Sequence, residues 1–165
     1  MPIVVMGVSG SGKTTIGRLL AQQLDMPFVD GDDLHPMSNK KKMADGIPLQ
    51  DEDRMPWLNA IADVLAGPPA VIACSALKRK YRDILREAAP RVLFVYLRGS
   101  SNLLIRRLAA RSHEFMPPAM LDSQLRTLEP PQADENALTV DIESPPAEIT
   151  KFIAGWIDMP NQPGD

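Results

Sequence analysis

Only one cysteine, Cys74, occurs among the 165 residues, which excludes an internal disulfide and suits a reducing cytosol. Basic charge is not in excess: 18 Lys and Arg face 21 Asp and Glu for a net charge of -3, so no broad basic field exists for nucleic acid or an anionic membrane. No stretch nears the roughly eighteen apolar residues of a membrane span, and Met1-Pro2-Ile3 lacks the basic lead-in of a signal sequence. Internal repeats and low-complexity tracts are also missing. These absences read as a soluble, cytoplasmic protein with a small-molecule ligand and no nucleic-acid or membrane partner. At 44% hydrophobic, the chain can fill one domain core but is too short for two comfortable ones.

What is present is more specific. Gly7-Val8-Ser9-Gly10-Ser11-Gly12-Lys13-Thr14 is a complete phosphate-binding loop between the apolar run Ile3-Val4-Val5-Met6 and an amphipathic stretch from about Thr15. The glycines let consecutive N–H groups point at phosphate oxygens, Lys13 adds positive charge between the outer phosphates, and the Thr14 hydroxyl suits magnesium. Gly7, Ser9, Gly10, Ser11, Gly12, Lys13, Thr14 and Thr15 are therefore the expected contacts of a nucleoside triphosphate. Ile16, Leu19, Leu20 and Leu24 follow at helical spacing, as a helix after such a loop requires.

Residues 27–30, 70–75, 92–97 and 137–142 are short apolar runs without polar alternation, the pattern of buried parallel strands. Helical patterns separate them at 56–66, 79–88, 101–111 and 145–157, the last with Ile149, Phe152, Ile153, Trp156 and Ile157 on one stripe. The alternation predicts a parallel sheet covered on both faces. Two segments break it: Gly31 to Met55, polar and dotted with Pro and Gly, and Ser112 to Pro118, followed by a helix-like run to Leu128. Both leave the carboxyl ends of strands, where open parallel sheets bind ligands, so they read as substrate clamp and lid. One domain over 1–158 is expected, with an insert at about 31–66, a lid at about 111–120 and a flexible tail at 159–165.

The second strand runs into Asp30-Gly31-Asp32-Asp33-Leu34-His35-Pro36, which sets carboxylates on the sheet edge facing the phosphate loop. A kinase uses such a pair: one carboxylate holds magnesium, directly or through water, and another accepts the proton of the attacking hydroxyl. Ile72-Ala73-Cys74-Ser75 offers no carboxylate at the end of the third strand, which leaves magnesium to Thr14, waters and Asp30 or Asp32. Cys74 reads as a buried structural thiol.

These motifs carry a specific resemblance. The phosphate loop, Gly31 to Pro36, Asn39 with Lys42-Met43, Gly46-Ile47-Pro48-Leu49 with Asp51 and Asp53-Arg54, Pro56-Trp57-Leu58, Cys74 to Lys78 with Tyr81-Arg82-Asp83, and Ser123-Gln124 with Leu128-Glu129 together resemble the gluconokinase family. The likeness spans about Ile3 to Ile142 and implies a three-layer α/β P-loop kinase fold: a five-stranded parallel sheet with helices on both faces, a helical substrate-binding insert and a lid. It also implies transfer of the ATP γ-phosphate to the 6-hydroxyl of D-gluconate, with ATP and Mg2+ required. A homodimer is an expectation from the same resemblance.

Carried onto this chain, the resemblance gives Lys13 and Thr14 the phosphate and magnesium duties; the further metal ligand, taken from the residues themselves, is Asp30. Asp32 becomes the base that orients the hydroxyl and takes its proton. His35, Arg54, Lys78, Arg82 and Gln124 line the acceptor pocket, and Arg54 is the first choice for the gluconate carboxylate, since a guanidinium matches it bidentately. Arg79 and Lys80 read as a solvated helix face. By analogy with related P-loop kinases, Arg107 covers the adenine ring and Arg111 reaches the transferring phosphate, while Arg106 points elsewhere. In the lid, Arg111-Ser112-His113-Glu114-Phe115 departs from the Arg-x-Gly-His-Phe of many relatives, so His113 is left outside the site. From the residues alone, another small-acceptor kinase or a nucleotide switch stays open, as does adenine against guanine.

Overall fold

In the computed structural model, which describes residues 1–110 and 118–159, the phosphate-binding loop sits at the carboxyl edge of a five-stranded sheet. The strands are β1 (Ile3–Met6), β2 (Phe28–Asp30), β3 (Val71–Ala73), β4 (Leu93–Arg98) and β5 (Ala137–Asp141). All pairings are parallel, in the order β2-β3-β1-β4-β5, with Val4 opposite Ile72 on one side and Phe94 on the other. β1 is central and all four of its residues are buried, which is why its sequence shows no polar alternation.

Successive strand residues point to opposite faces, and each face has its own core. Ile3, Val5, Leu93 and Val95 pack with Ile16 and Leu20 of α1 (Lys13–Leu24) and with Ile149 and Ile153 of α7 (Pro146–Ile157). Val4, Met6 and Phe94 pack with Trp57, Leu58 and Ile61 of α3 (Asp51–Ala66) and with Tyr81 and Leu85 of α4 (Arg79–Ala88). The result is the expected arrangement of three layers, with helices on both faces of a parallel sheet. The remaining helices are α2 (Met37–Ala44), α5 (Ser101–Ala109) and α6 (Pro118–Thr127).

Three local expectations are corrected. α3 begins at Asp51, five residues before Pro56, because the Asp53 carboxylate accepts the Gln50 N–H (2.9 Å) and the first turn carries Asp51, Glu52 and Asp53, favourable at the positive end of a helix. Pro56 is tolerated inside the helix near its start. α2 falls in the stretch read as loop; its one buried residue is Asn39, so it carries no apolar stripe to signal it. On α7 the buried face centres on Ile149, Thr150, Ile153 and Ala154, which turns Phe152 outward to 56% exposure.

Candidate active site

The phosphate loop joins β1 to α1 through Gly12, whose φ of 97° lies in the left-handed region where a side chain would be strained. That turn brings the first N–H groups of α1 to the loop, forming an amide-lined anion site. The loop is held from within: Ser11 Oγ and Lys13 Nζ both donate to the Val8 carbonyl, at 2.7 and 3.0 Å, and Ser11 is fully buried. Thr14 and Thr15 are exposed on the first turn of α1. From across the site, Gln124 of α6 accepts the Ser9 N–H through Oε1 at 2.7 Å.

Beside the loop lies a cavity of about 510 Å³. Ser9 and Lys13 line it from the loop, Asp32 and His35 from the turn after β2, Arg54 and Trp57 from α3, Lys78 from the end of the β3 connection, and Gln124 from α6. Lys13 and Asp32 thus share one space. Both charges also act on the Cys74 thiol: burial pushes its pKa up to about 12, Asp32 adding to the rise and Lys13 opposing it. Such a thiol is neutral at physiological pH, as expected of a structural cysteine.

Asp32 reaches the cavity because β2 ends in a tight 3-10 turn, Gly31–Leu34. Gly31 is needed there, since a Cβ would stand 2.4 Å from the Ala73 carbonyl oxygen. Asp30 caps the turn, its Oδ1 accepting the Asp32 N–H at 3.0 Å, and its pKa is raised chiefly by burial. Asp30 is therefore already occupied on one oxygen by backbone.

Where α3 and the start of α4 line the cavity, basic and acidic side chains are tightly bonded to one another. Arg54 Nη1 donates to the Leu49 carbonyl (2.8 Å) and to Tyr81 Oη (3.2 Å), and its guanidinium lies over the Tyr81 ring. Tyr81 in turn donates to Asp51, which also takes Lys80 and, at 3.5 Å, Lys78. Hydrogen bonds from Lys80 and Tyr81 hold the Asp51 carboxyl well below the usual carboxylate range. His35 stacks on Trp57 with ring centroids 4.2 Å apart and planes 10° from parallel, while Trp57 Nε1 donates to the Gly31 carbonyl at 2.7 Å. One aromatic residue thereby fixes both the histidine and the turn that carries Asp32.

Arg82 does not line this cavity. It is fully buried, with Nε and Nη2 on the Glu135 carboxylate at 2.7 and 3.1 Å and Nη1 on the Ala76 carbonyl at 2.8 Å. The expectation that it contacts the acceptor is corrected: its guanidinium faces inward and ties α4 to the segment before β5. Arg107 is half-buried, and its Nη2 donates to the Ile142 carbonyl, so it stands between the phosphate loop and the connection from β5 to α7. Arg106 is exposed. Arg111, His113 and Glu114 lie outside the described residues, as does most of the expected lid. Asp51 and Tyr81 complete the wall although the residues alone did not mark them; Asp51 sits in Gln50-Asp51-Glu52-Asp53, which reads as an ordinary helix start.

Glycine-rich loop, lysine and facing carboxylate in one cavity define a P-loop kinase that phosphorylates a small acceptor. The shikimate kinase family model matches residues 9–149. The chain is 47% identical over 154 residues to the thermosensitive gluconokinase of Escherichia coli K12, covering 90% of this chain and 82% of that one. The crystal structure of a gluconokinase from Sinorhizobium meliloti 1021 is 51% identical and superposes with a TM-score of 0.86, covering 91% of this chain and 87% of the other. Shikimate kinase from Aquifex aeolicus, 18% identical over 96% of both chains with a TM-score of 0.64, shares the fold. The chain belongs to the gluconokinase family, a branch of the shikimate kinase-like P-loop enzymes.

Proposed function

We propose that this enzyme transfers the γ-phosphate of ATP to the 6-hydroxyl of D-gluconate, giving 6-phosphogluconate. The observation that carries the reading is the shared cavity, which Lys13, Asp32, Arg54 and Lys78 line together. A sugar acid fits that polarity, its carboxylate meeting the cations and its terminal hydroxyl lying against Asp32. Arg54 is held by Leu49 and Tyr81, so its fork is positioned before substrate arrives.

In this reading the loop N–H groups and Lys13 grip the phosphates and draw charge from the bridging oxygens. Asp32 accepts the proton of the attacking hydroxyl as the oxygen approaches in line, and His35 and Gln124 orient the acceptor. Among the described residues no cluster of three His, Cys, Asp or Glu forms a metal cage, and the donors at hand are oxygens, which fits a magnesium ion that keeps most of its waters and leans on nucleotide phosphates. Thr14 and Asp30 would hold it, and when bound it offsets phosphate charge. Arg107, beside the phosphate loop, is assigned to the adenine, and Arg111 to the transferring phosphate. An insert over 31–66 and a lid over about 111–120, within a domain of 1–158, belong to the same proposal, as do a cytoplasmic location and a homodimer. No helix among the described residues is long and apolar enough to cross a membrane.

A coupled ADP-release assay with ATP and magnesium tests the reading. D-gluconate should give turnover well above a blank, and shikimate or a nucleoside monophosphate should not. Release with shikimate but not gluconate would overturn it.

A further inference from the structure

Asn39 is polar and is the one buried residue of its helix, and its amide nitrogen makes two contacts. Nδ2 donates to the Asp53 carbonyl at 2.7 Å and lies 3.1 Å from His35 Nδ1. The carbonyl can only accept, so the atom facing it must be the NH2 group and not the amide oxygen. Its second hydrogen then points at His35 Nδ1, which can only be a bare acceptor nitrogen. A neutral imidazole has one proton, and it is left on Nε2.

We propose that Asn39 is a positioning residue that fixes His35 as the neutral Nε2–H tautomer, so that His35 donates a hydrogen bond to an oxygen of the sugar acid and exchanges no proton in turnover. Beyond the gluconate reading, on which it rests for the identity of the acceptor, the inference assigns a chemical form to one wall of the cavity. The ring lines that cavity, and with Nδ1 turned to Asn39 and one face covered by Trp57, Nε2 is the nitrogen left to meet substrate. The surroundings oppose a second proton. Arg54 from α3 and Lys40 from α2 are the charged groups that bear on the ring. The Asp53 carboxylate is turned to Lys42 and the Gln50 N–H, Asp51 is engaged by Tyr81, Lys78 and Lys80, and Asp32 stands in the ring's own turn. Burial, then Arg54 and Lys40, lower the His35 pKa to about 4. A donor that never titrates near neutrality keeps acceptor recognition constant with pH, and it leaves Asp32 as the only base in the pair.

The chain has two histidines, His35 and His113, so the imidazole 15N spectrum is simple to assign with a His35→Gln variant. In the free wild-type enzyme His35 should show the Nε2–H pattern, unchanged between about pH 5 and 8. Asn39→Leu removes the Nδ1 donor and should give mixed tautomers. Asn39→Asp presents an acceptor instead and should move the proton to Nδ1. Both should raise KM for gluconate about tenfold or more while KM for ATP stays within about twofold. His35→Gln, whose amide can place an N–H where Nε2 stands, should retain more gluconate affinity than His35→Asn. A wild-type His35 protonated on Nδ1, or charged at pH 7, would overturn the inference, as would Asn39→Leu with wild-type tautomer and KM. The spectra need no substrate, so a wild-type enzyme inactive on gluconate would sink the activity reading separately.

Discussion

Glu135→Gln should unfold this protein at a much lower temperature without touching its acceptor pocket. Glu135 and Arg82 have no exposed side-chain surface, and Arg86 adds a third bond to the same carboxylate at 2.9 Å. Neutralising the acid leaves the Arg82 guanidinium buried without its counter-charge, with one amide oxygen and the Ala76 and Leu77 carbonyls as its acceptors. Breaking one side of a buried pair costs about 3–5 kcal/mol. At about 2–4 °C per kcal/mol for a chain of this size, the melting temperature should fall by roughly 6–20 °C.

The pH dependence gives an independent figure. Burial alone would raise the Glu135 pKa, but hydrogen bonds from Arg82, the Gln132 N–H and Arg86 outweigh it and hold the carboxyl at about 2, against 4.5 for a free one. A depressed pKa means the stabilisation is complete above the unfolded value and is lost as pH falls from about 4.5 toward 2, a swing of about 3 kcal/mol. Thermal melts at pH 7 and through that acid range should show the wild type losing stability there and Glu135→Gln losing less. Arg82→Met, assayed in parallel, should lower the melting temperature and leave KM for gluconate near wild type. If Arg82→Met melted normally and instead raised that KM tenfold, Arg82 would belong to the acceptor site and the argument would fail.

Four other perturbations follow from the cavity. Lys13→Ala should cut kcat by about 10²–10³, the cost of losing one preorganised charge at the transferring group, and Asp32→Asn should cut it by about 10²–10⁴ with ATP affinity little changed; normal turnover in Asp32→Asn, read in the coupled assay, would remove it as the base. Tyr81→Phe deletes the hydroxyl shared by Arg54 and Asp51, so KM for gluconate should rise about 3- to 10-fold at constant kcat, and an unchanged KM would show that Leu49 alone suffices to hold Arg54. Gly31→Ala forces a Cβ toward the Ala73 carbonyl 2.4 Å away, which should cost about 1–3 kcal/mol in a denaturant melt and lower kcat by displacing Asp32.

Much of the fold was legible because its signals are local. β1 and β4 are buried along nearly their whole lengths and could only be continuous apolar runs, and the loop between β1 and α1 needs its glycines and lysine at fixed spacing. α2 was not legible, because what holds it is polar: Asn39 on Asp53 and His35, and Lys42 on Asp53 at 2.9 Å. A helix held by polar hydrogen bonds to a neighbouring turn and to the next helix leaves no 3.6-residue apolar pattern. The early start of α3 escaped for a related reason, since Pro56 is a strong start signal and the Gln50 and Asp53 cap upstream of it is built from residues common in any turn.

The charge run from Lys78 to Arg82 shows where sequence reasoning about a site stops. At about 100° per residue, four basic side chains at the head of α4 must leave the helix in different directions. Lys78 and Lys80 converge on Asp51 at the cavity wall, Arg79 forks onto Asp134 with contacts of 2.9 and 2.6 Å, and Arg82 turns into the core to meet Glu135. Periodicity separates these directions but does not name the acid waiting in each, because those acids lie 27 to 55 residues away along the chain. Arg79, read as solvated, is bound as a bidentate pair, and Arg82, read as a substrate contact, is a core ion. The cation proposed to meet the acceptor carboxylate, Arg54, comes from a different helix and is bonded to Tyr81 of α4. The proposed acceptor recognition would therefore be a property of the α3 and α4 pair, in which one tyrosine hydroxyl joins Arg54 to the aspartate that restrains the neighbouring lysines.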